Sequence, residues 1–355
     1  MINRDTALGG NAPFQVQQAV ANGSIDAPGG ATRRDFPLIV TAQDPVFDMP
    51  RAWTWNVTVE RELPLRTTLE VGYVGRRGQH NQRKRNINQM PAGTLQANPG
   101  VNPNALRPYL GFGPIGLAEN SGRSQYHGLQ IGVERRMTSG LHAGVGYTLS
   151  RTQDNSSSLT DVLPNAYDDS AYWGISDLDR THVLIANWMY ELPFLREGSG
   201  WAPRALGHWE LTGVFQFQSG APFSVRSNDD FAGVGPGSGS QFWNLVGDPT
   251  IARTPFTTSA TWFNPAAFAR PAAGTFGVQP RNSLRNPHTW NLDMGLRKIV
   301  PVRGSNRVEF RVEAFNVLNH PNWGGANSNP TSGSFGLVTG KTGERVIQLA
   351  TKYMF

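Results

Sequence analysis

Seven histidines, His80, His127, His142, His182, His208, His288 and His320, are the first candidates for metal or acid–base chemistry. No two of them stand as His-x-His or His-x-x-x-His, the spacings that set two imidazoles on one face of a strand or helix. Cysteine is absent, which removes disulfides, thiolate ligands and a thiol nucleophile. There is no Gly-x-Ser-x-Gly elbow, and the run Gly233–Gly239 (GVGPGSG) lacks the lysine of a phosphate loop, so it reads as a flexible loop tip. Asp177 and Asp179 precede Arg180, but a calcium loop needs more oxygen ligands at close spacing. They read as a turn closing onto a strand. Asp154, Asp161, Asp168 and Asp169 read as a solvated loop. The formal charge of +6, with no basic run longer than Arg83-Lys84-Arg85, is weak support for nucleic acid. The expectation is a chain that is no enzyme, carries no cofactor and binds no nucleic acid.

One set of charges does have a usable pattern. Arg307, Glu309, Arg311 and Glu313 alternate along one stretch, with Asp293 and Arg297 on the stretch before it. In a pair of strands they form a single wall of both signs, able to pair across strands, line water or hold a polar partner.

The elements that would position this wall are strands. Period-2 alternation recurs from residue 53 onward. Trp53, Trp55, Val57 and Val59 alternate with Thr54, Asn56, Thr58 and Glu60; Leu141 to Leu149, Trp209 to Phe217, Trp290 to Leu296, Val308 to Ala314 and Ile347 to Phe355 repeat the pattern. Nine strands are counted, with a poorly alternating one near 181–193 and residues 112–119 as a candidate tenth. The apolar sides of the eight regular windows carry no charge and the opposite sides carry eleven. One side of each strand therefore meets a medium that excludes charge, either lipid or a protein core.

The connections favour lipid. Arg61–Arg66, Arg135–Gly140 and Val300–Asn306 are short, Phe194–Gly207 is intermediate, and 75–123, 151–180, 220–287 and 319–343 are long. Short and long alternate, as turns and loops do in an outer-membrane barrel. Strands of ten or more residues match a tilted bilayer crossing. Aromatic residues gather at strand ends: Trp53, Trp55, Tyr73, Tyr147, Trp290 and Phe315 toward the long loops, Trp209 and Tyr353 toward the turns, as two interfacial girdles would. The fold expectation is an all-β, antiparallel transmembrane β-barrel. Residues 1–50 read as an irregular outer-loop segment and 51–355 as barrel.

Several segments resemble TonB-dependent receptors of the Oar-like group that bears a carboxypeptidase-regulatory-like domain. These are Asn187–Phe194 (NWMYELPF), His208–Gly213, Gln218–Phe223, Trp262–Pro265 and Arg281–Arg285 (RNSLR), and above all Arg311–Pro321 (RVEAFNVLNHP). The terminal Tyr353-Met354-Phe355 resembles the signal read by the barrel-assembly machinery, with Tyr353 and Phe355 as its aromatic positions. The resemblance covers roughly residues 50–355. It implies the C-terminal part of a barrel of about 22 strands, in the cell outer membrane, surrounded by lipid and lipopolysaccharide. The full-length protein would take up a solute by an energised route, through a plug domain and TonB that act from a missing N-terminal part. No signal peptide, TonB box or plug is visible. The wall formed by Asp293, Arg297, Arg307, Glu309, Arg311 and Glu313 would then touch the plug or the solute. Two other expectations compete: a self-closing passive porin or adhesion-type barrel, and a secreted carbohydrate-binding β-sandwich.

Overall fold

The computed structural model describes residues 37–46, 48–194, 203, 206–252 and 261–355. Nine long strands build one antiparallel sheet: β1 (Arg51–Leu63), β2 (Thr67–Asn86), β3 (Phe112–Thr138), β4 (Leu141–Asp154), β5 (His182–Glu191), β6 (Trp209–Gln218), β7 (Thr289–Arg303), β8 (Asn306–Phe315) and β9 (Val346–Met354). Among themselves these nine pair only with their neighbours in the series, a meander with β1 and β9 at its edges, while β3 also takes Leu38–Gln43 and β4 also takes Gly174–Ile175 at their outer ends. No helix among the described residues is long and apolar enough to cross a membrane.

Local chemistry explains the turns. Leu65 and Arg66 after Pro64, Ser139 and Gly140, and Gly304 all take positive φ, the geometry that matches tight hairpin turns to strand twist. Between these turns the register aligns side chains into rows across the sheet. One row runs Val59, Val71, Ile131, Tyr147, Leu184, Phe217 and Trp290. The row displaced by one residue runs Glu60, Glu70, Gly132, Gly146, Ile185, Gln216 and Asn291. The first kind of row faces outward and the second lines the concave, lumenal side. The 181–193 strand is resolved by this register, with Leu184, Ala186, Trp188 and Tyr190 outward and Val183 and Ile185 lumenal.

Nothing among the described residues covers the outward rows. Val57, Val59 and Val145 remain exposed, and Leu349 is 74% exposed. No second sheet among the described residues lies on them, which removes the layer that a sandwich requires. With none of the described residues on this face, hydrocarbon is the solvent of the outward rows, as in a transmembrane β-sheet. The sheet is also open, since β1 and β9 do not pair. Alternating direction over nine strands leaves them parallel to each other, so the described strands form part of an antiparallel barrel.

Three sequence expectations change here. Residues 112–119 are no tenth strand; they are the outer end of β3, a single strand of 27 residues. Likewise β2 runs to Asn86, past the loop expected from residue 75. At 20 and 27 residues these strands are at least twice as long as a crossing of about ten, so the outer half of the hairpin stands beyond the bilayer. The two halves meet at an irregularity where Asn81 faces Gly122. A Cβ on Gly122 would lie 2.6 Å from the Asn81 carbonyl oxygen, so glycine is required by the close approach. Finally, the expected irregular segment 1–50 contains a strand, Leu38–Gln43, which pairs in parallel with Phe112–Ala118. Residues 1–36 and 47 of that segment lie outside the described residues.

The buried apolar clusters lie on the cap side, in the outer loops and at the outer end of β3. Phe263, Val225, Ala267, Phe268 and Leu284 form one, with Phe223 and Trp262 against it. Ala42, Phe112, Ile115 and Leu117 form another. Leu163, Tyr172 and Phe242 form a third.

Candidate functional site: lumen walls and outer cap

The expected charged wall is assembled from β6, β7 and β8. Arg297 faces Glu210 on one side and Arg311 on the other. It pairs with Glu210, and its Nη1 lies 3.8 Å from Glu309. Arg311 bonds Glu309 at 2.6 Å and approaches Glu313 at 3.7 Å. Two like charges side by side are thus held by carboxylates on both flanks, a network whose members support one another. Asp293 accepts Asn291 Nδ2 at 2.6 Å and the Asn316 backbone N–H at 2.8 Å. Arg307 stands apart, at the turn end, lining a hollow of about 480 Å³ with His208, Glu210 and Arg297. Glu210 completes the network although the sequence reading left it out of the wall. Its signal was present, as the charge on the polar side of a neighbouring strand.

The opposite wall differs in kind. Glu60 faces Glu70 directly, and Glu134 lies one row away. With Arg136 and His142 they line a hollow of about 560 Å³. Among the described residues none of these three carboxylates joins an ion pair.

Above the walls the loops form an ordered cap. Its clasp is Arg281–Arg285, noticed in sequence only for its family resemblance. Arg281 pairs with the Asp154 carboxylate, bonds the Asp154 carbonyl at 2.8 Å and donates to Ser157 Oγ at 2.7 Å. Asn282, in the left-handed region at φ 56°, donates to the Ile175 carbonyl at 2.7 Å and receives Ser224 support through its own N–H at 2.6 Å. Arg285 pairs with Asp179, which is fully buried and also accepts the Thr152 N–H. Arg180 donates to the carbonyls of Asp177 and Asp179, so the turn reading of these aspartates stands, with Arg285 as an added partner. A second set ties the β2–β3 hairpin to the same loop: Arg83 binds Glu119 and Asp169, and Arg85 binds Glu119. Burial would raise the Asp169 carboxyl. The Arg83 hydrogen bond and charge, with Asn155, hold it below the ordinary carboxylate range instead.

The Gly233–Gly239 run is no flexible tip. Val234 and Ala232 are fully buried, and Asp230 accepts the N–H groups of Val234 at 3.0 Å and Gly235 at 2.7 Å. Gly233, Gly235 and Gly237 take positive φ, which lets the backbone pack onto Met90 and Pro114. The cap surface carries an apolar hollow of about 450 Å³ between Pro91, Pro108, Tyr167 and Phe276.

The outward rows place Trp53, Trp55, Tyr73, Tyr147 and Trp290 toward the cap, and Trp209 and Tyr353 toward the turns. Phe315 has the parity of Glu313, not of Ala314, so it belongs to the lumenal rows and leaves the expected girdle. Histidines join the outer part of the girdle. Tyr73 Oη lies 2.6 Å from His127 Nδ1, Tyr147 Oη lies 2.8 Å from His182 Nδ1, and His320 stacks on Trp290 at 3.9 Å. No cluster of three ligating side chains that could hold a metal occurs among the described residues. Phe355 is 94% exposed beyond the end of β9. Cations that lie beyond the sequence windows stand on the outward face, among them Lys298, opposite Trp209 and Phe310. It is buried, donates to the Gly207 carbonyl at 2.7 Å and stands over the Trp209 ring at 4.8 Å, so its charge is satisfied at the turn-side edge.

Comparison with solved structures finds outer-membrane proteins. The outer membrane transporter YddB from Escherichia coli is 9% identical, with a TM-score of 0.47, over 89% of this chain and 34% of that one. The pyoverdine outer membrane receptor FpvA from Pseudomonas aeruginosa is 12% identical, with a TM-score of 0.40, over 86% of this chain and 30% of that one. The FrpB iron transporter from Neisseria meningitidis is 12% identical, with a TM-score of 0.41, over 88% and 32% respectively. The chain thus spans about a third of the length of these proteins. No curated protein matches. The family model described as an outer membrane beta barrel domain matches residues 2–348, and with uncovered apolar rows outside and charged walls inside, the chain belongs to that family and to the outer membrane.

Proposed function

We propose that this chain is the C-terminal wall and outer cap of a TonB-dependent receptor that takes up a solute by an energised route. The observation that carries the reading is the parity of the sheet. Nine strands with parallel free edges accept only an odd number of further strands, and thirteen would complete a barrel of about 22. In the whole protein a plug would fill the lumen and touch the charged walls, and TonB would act on that plug. The cap's apolar hollow is where a solute would first be held. Tyr353 and Phe355 would present the C-terminus to the barrel-assembly machinery, and the outward rows would meet lipid and lipopolysaccharide. The test is conductance in planar bilayers. The full-length protein is expected to be closed, and to open when the segment ahead of the barrel is deleted. Steady conductance of the intact protein would instead establish a passive pore, the second reading, which the unpaired Glu60–Glu70–Glu134 wall favours because such carboxylates need water.

A further inference from the structure

On the membrane side of the Asn81–Gly122 irregularity, every carboxylate in the strand ladders lies in a lumenal row. The outward rows carry Arg51, Arg61, Arg77, Arg135, Arg151 and Lys298 and no acid. Lumenal rows carry both signs. A water-facing surface has no reason for this bias, and hydrocarbon would exclude both signs alike.

Both rims carry such cations. At the turn side Lys298 is satisfied by a carbonyl and a tryptophan ring, Arg135 donates to the Thr138 carbonyl at 3.4 Å, and Arg61 is a single exposed cation opposite Leu69. At the cap side Arg77 and Arg151 are exposed and have no side-chain partner among the described residues. Arg77 faces Trp53 and Gln125, and Arg151 faces His127, so both sit within the aromatic belt. They are two strands and two residues apart, roughly 12 Å between Cα atoms from strand spacing. Long stems can bring both guanidinium groups to one headgroup, and a guanidinium matches phosphate oxygens two at a time.

We infer that the cap-side rim of the outward face, centred on Arg77 and Arg151, is a docking surface for lipid headgroups of the outer leaflet that carry an uncompensated phosphate. Charge complementarity selects the occupant. The surface offers donors and cations, in a belt where the neighbouring solvent is headgroup. The inference rests on the outward face meeting lipid and not on solute uptake.

The test uses the full-length protein carrying this chain, in phosphatidylcholine bilayer discs with or without phosphatidic acid. The readout is phosphatidic acid retained per protein after transfer to neutral detergent. R77Q/R151Q is expected to weaken retention roughly 30-fold and R151Q alone about fivefold. R76Q, the adjacent arginine in a lumenal row facing Thr54, is expected to leave it unchanged. Heat-modifiable migration reports assembly of each variant, and R151Q serves if the double variant does not assemble. Unchanged retention in R151Q, or an equal loss in R76Q, overturns the assignment. Lost retention with intact uptake supports the docking surface and leaves the uptake reading standing.

Discussion

The cap and the sheet are built from one chain by opposite rules. In the cap, Phe263 touches the rings of Phe223, Phe268 and Phe335 at centroid distances of 5.3 to 5.8 Å, and Arg281 and Asp154 are buried as a pair. In the sheet, valines and leucines of the outward rows are left bare, and β1 and β9 are exposed on both faces. The cap stands in water and must make its own dry interior. The sheet borrows hydrocarbon as its interior and spends its polar side chains on the lumen. Each half therefore has its own failure mode, and substitutions that separate them sharpen the contrast.

The largest effect belongs to the cap interior. Phe263→Ala removes a fully buried ring and is expected to cost about 3–5 kcal/mol. Protease protection of the outer loops should fall while heat-modifiable migration of the barrel persists. Joint loss of both would mean that cap and sheet fold as one unit. Next is Val145→Arg, in an outward row between Val133 and Ala186. A cation there is expected to cost up to about 2–4 kcal/mol near the bilayer midplane. Outer-membrane assembly should drop, and the same change at Glu134, a lumenal neighbour, should be tolerated. A smaller effect is expected inside the lumen. Glu309→Gln leaves Arg297 and Arg311 with their other carboxylates, and part-exposed pairs contribute about 0.2–1 kcal/mol. A double-mutant cycle with Arg311→Gln measures the coupling, and a value well above this range would make the wall a core in its own right.

The smallest effect is on pH. Asp169 is held below the usual carboxylate range by Arg83, so its contribution is present above about pH 4. It is lost as pH falls through the lowered folded value and the carboxylate becomes protonated. Hydrogen exchange of the 151–180 loop should quicken below about pH 4 in the native protein and be independent of this group in Asp169→Asn. Sheet amides should not follow it.

Much of the sheet was legible because a strand's facing rule is local. Trp53, Trp55, Val57 and Val59 declare one side without reference to any other residue. Nearness to a strand end is a weaker guide than parity: Phe315 lies at such an end, as the girdle residues do, yet counting from Val308 gives it lumenal parity. Lys298 lies one residue past Arg297, where the regular alternation of Trp290 to Leu296 ends, so its outward side has no apolar pattern to mark it. The extensions of β2 and β3 carry no strand pattern in sequence because beyond Gly78 their side chains serve the cap, and alternation against lipid no longer applies.

The cap was not legible in the same way. Gly233–Gly239 has the composition of a mobile tip, and only the approach of Met90, Gln96 and Pro114 turns it into a packed segment. Arg281 meets Asp154 across 127 residues of sequence. Nothing local marks that pair, since either side chain would be unremarkable on a solvated loop. The charged wall stands between these cases. Its residues and their shared side were readable, but the choice of Glu210 over Arg307 as partner depended on register.

By itself the amino-acid sequence determined which side of each strand tolerates charge and where the chain reverses, because period and turn geometry act over a few residues. Only the tertiary structure decided which carboxylate meets which arginine, and that the long loops fold onto one another. Those outcomes depend on strand register and on packing between segments a hundred or more residues apart, where each contact forms only once the others have fixed its geometry.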